Sequence, residues 1–468
     1  MSPSVVEQVG TQWRIPGFVD SHCHILPAGL DLLRLNLSGC GSPEEVLSLL
    51  DDWDRANPGS DFLLAVHYDQ NRYPGAQHLS RHQLDRVVSH RPVMLRHSNG
   101  HASVVNSKAL ELAKVGPNTP DPVGGTFVRD SSGELTGVLL ETAHGHVASL
   151  APLPTKDQMV EAILRAGESM ASLGITCATD MMTGCFTLAD ELEAYHLASQ
   201  KGCKVRLRLC LQWAPVLGRA PLPPELLRDL IDQMDPNLCR VIGLKIFADG
   251  AIGSATAAIY DTFATTGESG TLTYPEEELA RIIALIDENG WQVAIHSIGD
   301  RSTDLVLDGF EKTSQPSRHR LEHAMILSDS QIERIARVGC HVTMQPEFLL
   351  RFGRSYQGQL PATASKLKRV RSCLAAGIPL SFSSDRPVVP GNPWDGIQAA
   401  VCRPEGFDPS ESIDLDTAIW LYTVQGHVAN GEPGAFGDDW QIYDEPPAPG
   451  LTPVSVWREG AIMCEKKS

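Results

Sequence analysis

The stretch Arg14–His24 reads RIPGFVDSHCH. Arg14–Asp20 is a short β-rich run, and two histidines spaced i, i+2 follow it directly. Alternate side chains of an extended chain point the same way. His22 and His24 therefore project together from the end of a strand, while Cys23 turns away and reads as packing. Seven further runs of the same kind follow: Gly174–Asp180, Lys204–Leu211, Ile242–Phe247, Trp291–Ser297, His319–Ala324, Gly339–Pro346 and Ile378–Asp385. Amphipathic, helix-like segments alternate with them, at Thr155–Leu173, Phe186–Gly202, Glu276–Gly290, Asp329–Val338 and Asp414–His427. Several end in Gly, a common helix stop. Eight strand–helix units predict a closed α/β barrel, (β/α)8, of the TIM-barrel class. An open doubly wound sheet is the competing architecture. No GxGxxG follows a strand, so nucleotide binding has no support.

One interval breaks this rhythm. Roughly 150 residues separate the first two runs, too many for a loop. They contain strand-like FLLAVHYD and the stretches PVMLRHSNGHASVVNSKAL and DPVGGTFVRDSSGELTG. An inserted subdomain is expected at about 26–150, over the barrel mouth because it leaves the C-terminal end of a barrel strand. The expected organisation is a short N-terminal segment (1–15), the barrel with its insertion (16–430) and a small C-terminal β appendage (431–468).

Composition sets limits on function. The chain has 468 residues and a formal charge of −18, which disfavours nucleic acid or an anionic membrane as partner. Its 11 cysteines include no CxxC pair, so neither a disulfide framework nor a thiolate zinc site is expected. The N-terminus lacks the pattern of a signal peptide, and no apolar run reaches the length of a membrane span. A cytoplasmic protein with a small-molecule substrate is the expectation.

The chemistry-bearing residues collect at predicted strand ends. His296 closes WQVAIHS, His323 closes HRLEHA and Asp385 closes PLSFSSD. Together with His22 and His24 they place imidazole and carboxylate on one rim, where barrel enzymes gather catalytic groups. Neutral imidazole suits zinc, iron, manganese and nickel. Lys245 lies inside the β-rich IGLKIF, where a bare cation is costly. It is expected either to pair with Asp249 or Glu322, or to become a carbamate by reaction with CO2. His101 and Asn106 in the insertion read as substrate contacts or as structural hydrogen-bonders. Asp249 and Ser254, in the corner DGAIGS, read as substrate contacts or turn residues. Arg386 suits a substrate carboxylate or a salt bridge, and Gln345 flanks the same rim. Glu322 alternates away from His323 and reads as structural.

These residues, in this order, resemble the amidohydrolase superfamily, and in particular its YtcJ-like branch, the amidohydrolase 3 group. The matching stretches are PGFVDSHCHI, GHASVVNSKAL, DPVGGTFVRDSSGELTGVLLE, LKIFADGAIGSATAA, IHSIGD, RLEHAMIL, VTMQPEF, SFSSDRPV and YTVQGHVA, from Pro16 to Ala429. The resemblance implies one or two divalent metal ions, zinc above all, with iron or manganese as alternatives. It implies His22, His24 and Asp385 around one ion, His296 and His323 around a second, and Lys245 as a bridging carbamate. A bound divalent metal lowers the pKa of water from about 15.7 to about 7. Asp385 is then expected to take a proton from water and return it to a leaving amine. The reaction expected is hydrolysis of a non-peptide C–N bond in an amide, cyclic amide or formamide. Ester hydrolysis and a metal-dependent lyase, cyclase or decarboxylase reaction are the alternatives on the same ligands. A binding protein without catalysis is disfavoured because every expected ligand is present. Only 15 residues precede PGF, fewer than the family's half of a β-sandwich. A much reduced appendage is therefore expected, or a homo-oligomer, most simply a dimer, that pairs the open sheet edge.

Overall fold

The computed structural model describes residues 5–98, 100–434 and 437–466. Eight parallel strands run in chain order around a barrel. They are β1 (Phe18–Cys23), β2 (Ile175–Thr183), β3 (Arg206–Gln212), β4 (Cys239–Phe247), β5 (Val293–Ser297), β6 (Arg320–His323), β7 (His341–Met344) and β8 (Leu380–Phe382). Each pairs with the next in parallel register, for example Lys245 with Ala294 and His296 with Glu322. All residues of β1, β6, β7 and β8 are buried, as expected for strands covered on both faces.

The seam between β1 and β8 is closed by polar groups. Ser21 Oγ donates to Phe382 O at 2.9 Å and lies 3.0 Å from Ser381 Oγ. Just past the strand ends, Asp385 N donates to His22 O and His24 N to Arg386 O, both at 2.8 Å. The Asp20 carboxylate accepts from Ser384 N at 2.9 Å and from its hydroxyl at 2.5 Å.

Two expected elements divide. The run Arg14–Asp20 splits: Gln12–Pro16 belongs to a separate antiparallel sheet, and β1 begins at Phe18. The physical reason is a change of partner. Pro16 pairs with Trp440, whereas Gly17 N donates to Asp439 O and Phe18 N to Gly174 O. The segment Asp414–His427 is two helices, Leu415–Tyr422 and Val424–Ala429, because Thr423 leaves helical geometry at φ −120° and ψ −89°.

The terminal sheet has five antiparallel strands, in the order Glu7–Val9, Gln12–Pro16, Trp440–Tyr443, Ser455–Arg458 and Ala461–Glu465. Its last hairpin turns through Glu459 and Gly460 at φ +49° and +77°, the positive φ pair that a tight two-residue turn requires. A buried ion pair joins this region to the barrel, with Arg206 Nε and Nη2 of β3 donating to Asp439 at 3.2 Å.

Residues Gly29–Gln158 form a second compact unit. It has a six-stranded mixed sheet, in the order Leu35–Asn36, Leu63–Tyr68, Val93–His97, Ala102–Val105, Leu135–Glu141 and Gly125–Arg129. Its own apolar core includes Val46, Leu50, Leu63, Leu84, Val93 and Leu95. Among the described residues, no helix is long and apolar enough to cross a membrane.

The helix Val424–Ala429 lies against β1 through Gly426. A Cβ there would sit 2.5 Å from Val19 Cβ. Gly426→Ala is therefore expected to lower stability by about 1–3 kcal/mol through overpacking. Chemical denaturation measures this, and an unchanged midpoint would show that helix and strand separate freely.

Candidate metal centre

Beyond the ends of β1 and β8, ligand atoms of His22, His24 and Asp385 lie within 4.8 Å of one another. Asp385 Oδ1 is 2.8 Å from His24 Nε2 and 3.4 Å from His22 Nε2. The Asp385 backbone is left-handed at φ +64°, a conformation that Asp tolerates better than most residues. Burial raises its carboxyl, but neighbouring His22, His24 and Lys245 outweigh that and hold it below the ordinary carboxylate value. The His24 Nδ1 is buried without a hydrogen-bond partner among the described residues.

His323 and His296 adjoin this group. The His323 ring centroid is 4.7 Å from that of His22 and 4.5 Å from that of His296. Three of these rings are held through one nitrogen by an oxygen atom that accepts. His22 Nδ1 meets Glu322 Oε2 at 2.7 Å, His323 Nδ1 meets Gln345 Oε1 at 2.9 Å, and His296 Nε2 meets Gly250 O at 2.9 Å. Each ring nitrogen so engaged carries the proton. The lone pair is left on Nε2 of His22 and His323 and on Nδ1 of His296. Burial is the first cause that keeps all three neutral: it takes His22 and His323 well below the usual range and His296 down to about 4. Neutral imidazole nitrogens beside an ionised carboxylate form a donor set that fits zinc, iron or manganese.

Lys245, on β4, is fully buried, and its Nζ has no hydrogen-bond partner among the described residues. The sequence-level expectation of an ion pair with Asp249 or Glu322 is not met: Nζ lies 4.8 Å above the Phe247 ring instead. Burial lowers its pKa to about 8. An amine of that kind is neutral often enough to react with CO2.

The sites expected to touch substrate differ among themselves. Both Asp249 oxygens are engaged, by the backbone N–H groups of Ala258, Ile298 and Gly299 and by the Ser302 hydroxyl, at 2.8–3.0 Å. This carboxylate ties the β5 end to the chain after β4. Asn106 is likewise saturated inside the second unit, accepting from Val93 N and Ala109 N and donating to Val88 O and Arg91 O. His101, in the same unit, is half exposed and has Nδ1 3.1 Å from Glu141 Oε2. Arg386 is buried and donates to Ser169 Oγ at 3.1 Å. Ser254 Oγ lies 2.8 Å from Thr256 Oγ1 in the corner after β4.

Glu322 is the residue that sequence reasoning misjudged. Its second oxygen accepts from Arg320 Nε at 2.7 Å, and all three side chains of the Arg320–Glu322–His22 chain are buried. Strand alternation placed it opposite His323, but His323 sits at φ +73° and has left the strand geometry on which that rule depends. A second potential cluster, Cys177, His427 and Glu432, has the spacing of a metal site. It is a poor one. Glu432 already accepts from Arg208 and Arg240, and burial pushes the Cys177 thiol up to about 12.

Comparisons with known proteins identify the family. Residues 14–437 match the model of the amidohydrolase family. A Bacillus subtilis (strain 168) protein assigned as an amidohydrolase, YtcJ, is 31% identical over 428 residues, covering 87% of this chain and 78% of its own. The N-substituted formamide deformylase of Arthrobacter pascens is 29% identical over 446 residues, covering 89% and 79%. The crystal structure of an uncharacterized metal-dependent hydrolase from Pyrococcus horikoshii OT3 superposes with a TM-score of 0.74 at 25% identity, over 93% of this chain and 86% of that one. The chain belongs to the amidohydrolase family and is a hydrolase.

Proposed function

We propose that this hydrolase uses a divalent metal to cleave a non-peptide C–N bond in an amide, cyclic amide or formamide. One observation carries the reading: three neutral imidazoles, those of His22 and His323 buried and that of His296 largely so, are each tethered through one nitrogen with the other left as a lone pair, and ionised Asp385 lies 3.4 Å from that of His22. The names of the similar proteins support it, one a metal-dependent hydrolase and another an N-substituted formamide deformylase.

His22, His24 and Asp385 hold one ion, with zinc the first choice among metals that accept such donors. His296 and His323 would hold a second. When bound, the ion supplies Lewis acidity that polarises a carbonyl and makes water a nucleophile near pH 7. Asp385, ionised and beside the ligand nitrogens, accepts the proton of the attacking water and passes it to the departing amine. Glu322 keeps the His22 lone pair directed inward. Lys245, as the neutral amine, would add to CO2 and lose a proton, and the resulting carbamate would offer the centre two oxygens that share one negative charge.

Two measurements test this. Metal analysis of the purified protein is expected to find one or two equivalents of transition metal. That metal should be lost in His22→Ala and Asp385→Ala variants that keep the native circular dichroism. Asp385→Asn is expected to lower amide turnover by about 10²–10⁴-fold, the usual worth of a positioned acid–base. Wild-type protein that stays metal-free after reconstitution with zinc and bicarbonate would overturn the proposal.

The second test concerns Lys245. A pKa of about 8 means the reactive neutral amine grows as pH rises through that value. Bicarbonate-dependent metal uptake should accordingly increase between pH 7 and pH 9, across which the neutral amine grows about tenfold in all. Lys245→Met should show no bicarbonate response. An equal response in wild type and variant would remove Lys245 from the centre.

A further inference from the structure

Lys368 lies in the chain between β7 and β8, and nothing in the sequence around it marks it. It is fully buried, and its Nζ donates to His323 O and to Gln345 Oε1, both at 2.8 Å. Among the described residues, no carboxylate pairs with it within ion-pair distance. We infer that Lys368 is a positioning residue: by holding the Gln345 amide in one orientation, it decides which nitrogen of His323 presents a lone pair to the site.

The argument is one of donors and acceptors. Gln345 Oε1 receives two hydrogen bonds, from Lys368 Nζ at 2.8 Å and from His323 Nδ1 at 2.9 Å. Its Nε2 donates to Ser383 Oγ at 2.9 Å, and Ser383 Oγ donates on to Met344 O at 3.4 Å. Turning the amide over would set its NH2 against Lys368 and against His323 Nδ1. Nδ1 would then have to accept, and the ring proton would move to Nε2. The lone pair would be removed from Nε2, the nitrogen not engaged by Gln345. Lys368 Nζ donates to His323 O and to Gln345 Oε1 together, and this pair of bonds favours the amide orientation that presents its oxygen.

The backbone pins Lys368 in place. Its φ is +54°, a conformation that side-chain-bearing residues seldom adopt and that collects at functional sites. Its N–H donates to Met325 O at 3.0 Å, while its carbonyl accepts from Val370 N at 2.9 Å and Arg403 Nη1 at 3.0 Å. Phe348 lies alongside, 5.5 Å from Nζ and nearly parallel to the His323 ring at 6.4 Å and 18°.

The consequence for metal binding rests on the proposed function, whereas the tautomer does not, so the two are tested apart. Histidine labelled with 15N in the full-length, metal-free protein reports the tautomer of His323, with its signal assigned from a His323→Gln variant. Wild type is expected to show the proton on Nδ1. Lys368→Met is expected to mix the two tautomers or move the proton to Nε2. Adding Gln345→Glu to Lys368→Met should restore Nδ1–H, because both carboxylate oxygens accept. Zinc affinity, measured by competition with a chromophoric chelator, should fall about 10–100-fold in Lys368→Met and recover in the double variant. An Nε2 proton in wild type overturns the inference without any variant having to fold. So does an unaltered tautomer in Lys368→Met. Absence of zinc binding in wild type with the expected tautomer would instead sink the proposed function and leave the positioning role standing.

Discussion

The seam between the first and eighth strands is the constraint on which the rest of the molecule depends. The two backbone hydrogen bonds from Asp385 to His22 and from His24 to Arg386, each 2.8 Å, join segments from near the two ends of the chain. They fix the backbone of all three residues whose ligand atoms converge. Side chains support the join, with Ser21 reaching Ser381 across 360 residues of sequence. A buried polar atom is costly unless it has a hydrogen-bond partner. The chain meets that need across the seam, and the requirement gives closure its specificity.

Charge inside the barrel follows the same logic. Arg320 and Lys368 are both fully buried, and each backs one imidazole through one intermediary. Arg320 reaches His22 through the anionic Glu322, and Lys368 reaches His323 through the neutral Gln345. Burying such groups is expensive unless they are well bonded, and buried networks of this kind do little for net stability. Their effect is to orient: each imidazole is left with one proton position and one direction for its lone pair. Arg320 also donates to Ser21 O, Thr343 Oγ1 and Asn430 Oδ1, which links this orientation to the seam and to the last helix of the barrel.

Backbone strain is also present in the same place. Asp385, His323, Ala324 and Lys368 all have positive φ without being glycine. Each such residue costs on the order of 1–3 kcal/mol and persists only where its surroundings over-determine it. At His323 the turn frees the ring from strand alternation, so Glu322 and His323 serve the same centre from adjacent positions. At Asp385 it brings the carboxylate back over the ends of the strands.

The sequence by itself determined the barrel and the types of its site residues. Eight β-rich runs alternating with helical segments are a local signal, because periodicity and helix stops are written in neighbouring residues. The convergence of His22, His24, His296, His323 and Asp385 followed, since parallel barrel strands end on one rim. Lys245 stood out because a lysine inside an apolar run is itself anomalous. Only the tertiary structure decided the division of Arg14–Asp20 between two sheets, the saturated carboxylate of Asp249, and the roles of Glu322, Gln345 and Lys368. Those depend on which hydrogen-bond partner arrives from hundreds of residues away, as Glu322 does at His22, 300 residues along the chain. Periodicity says which face a side chain leaves from; it does not say what it meets.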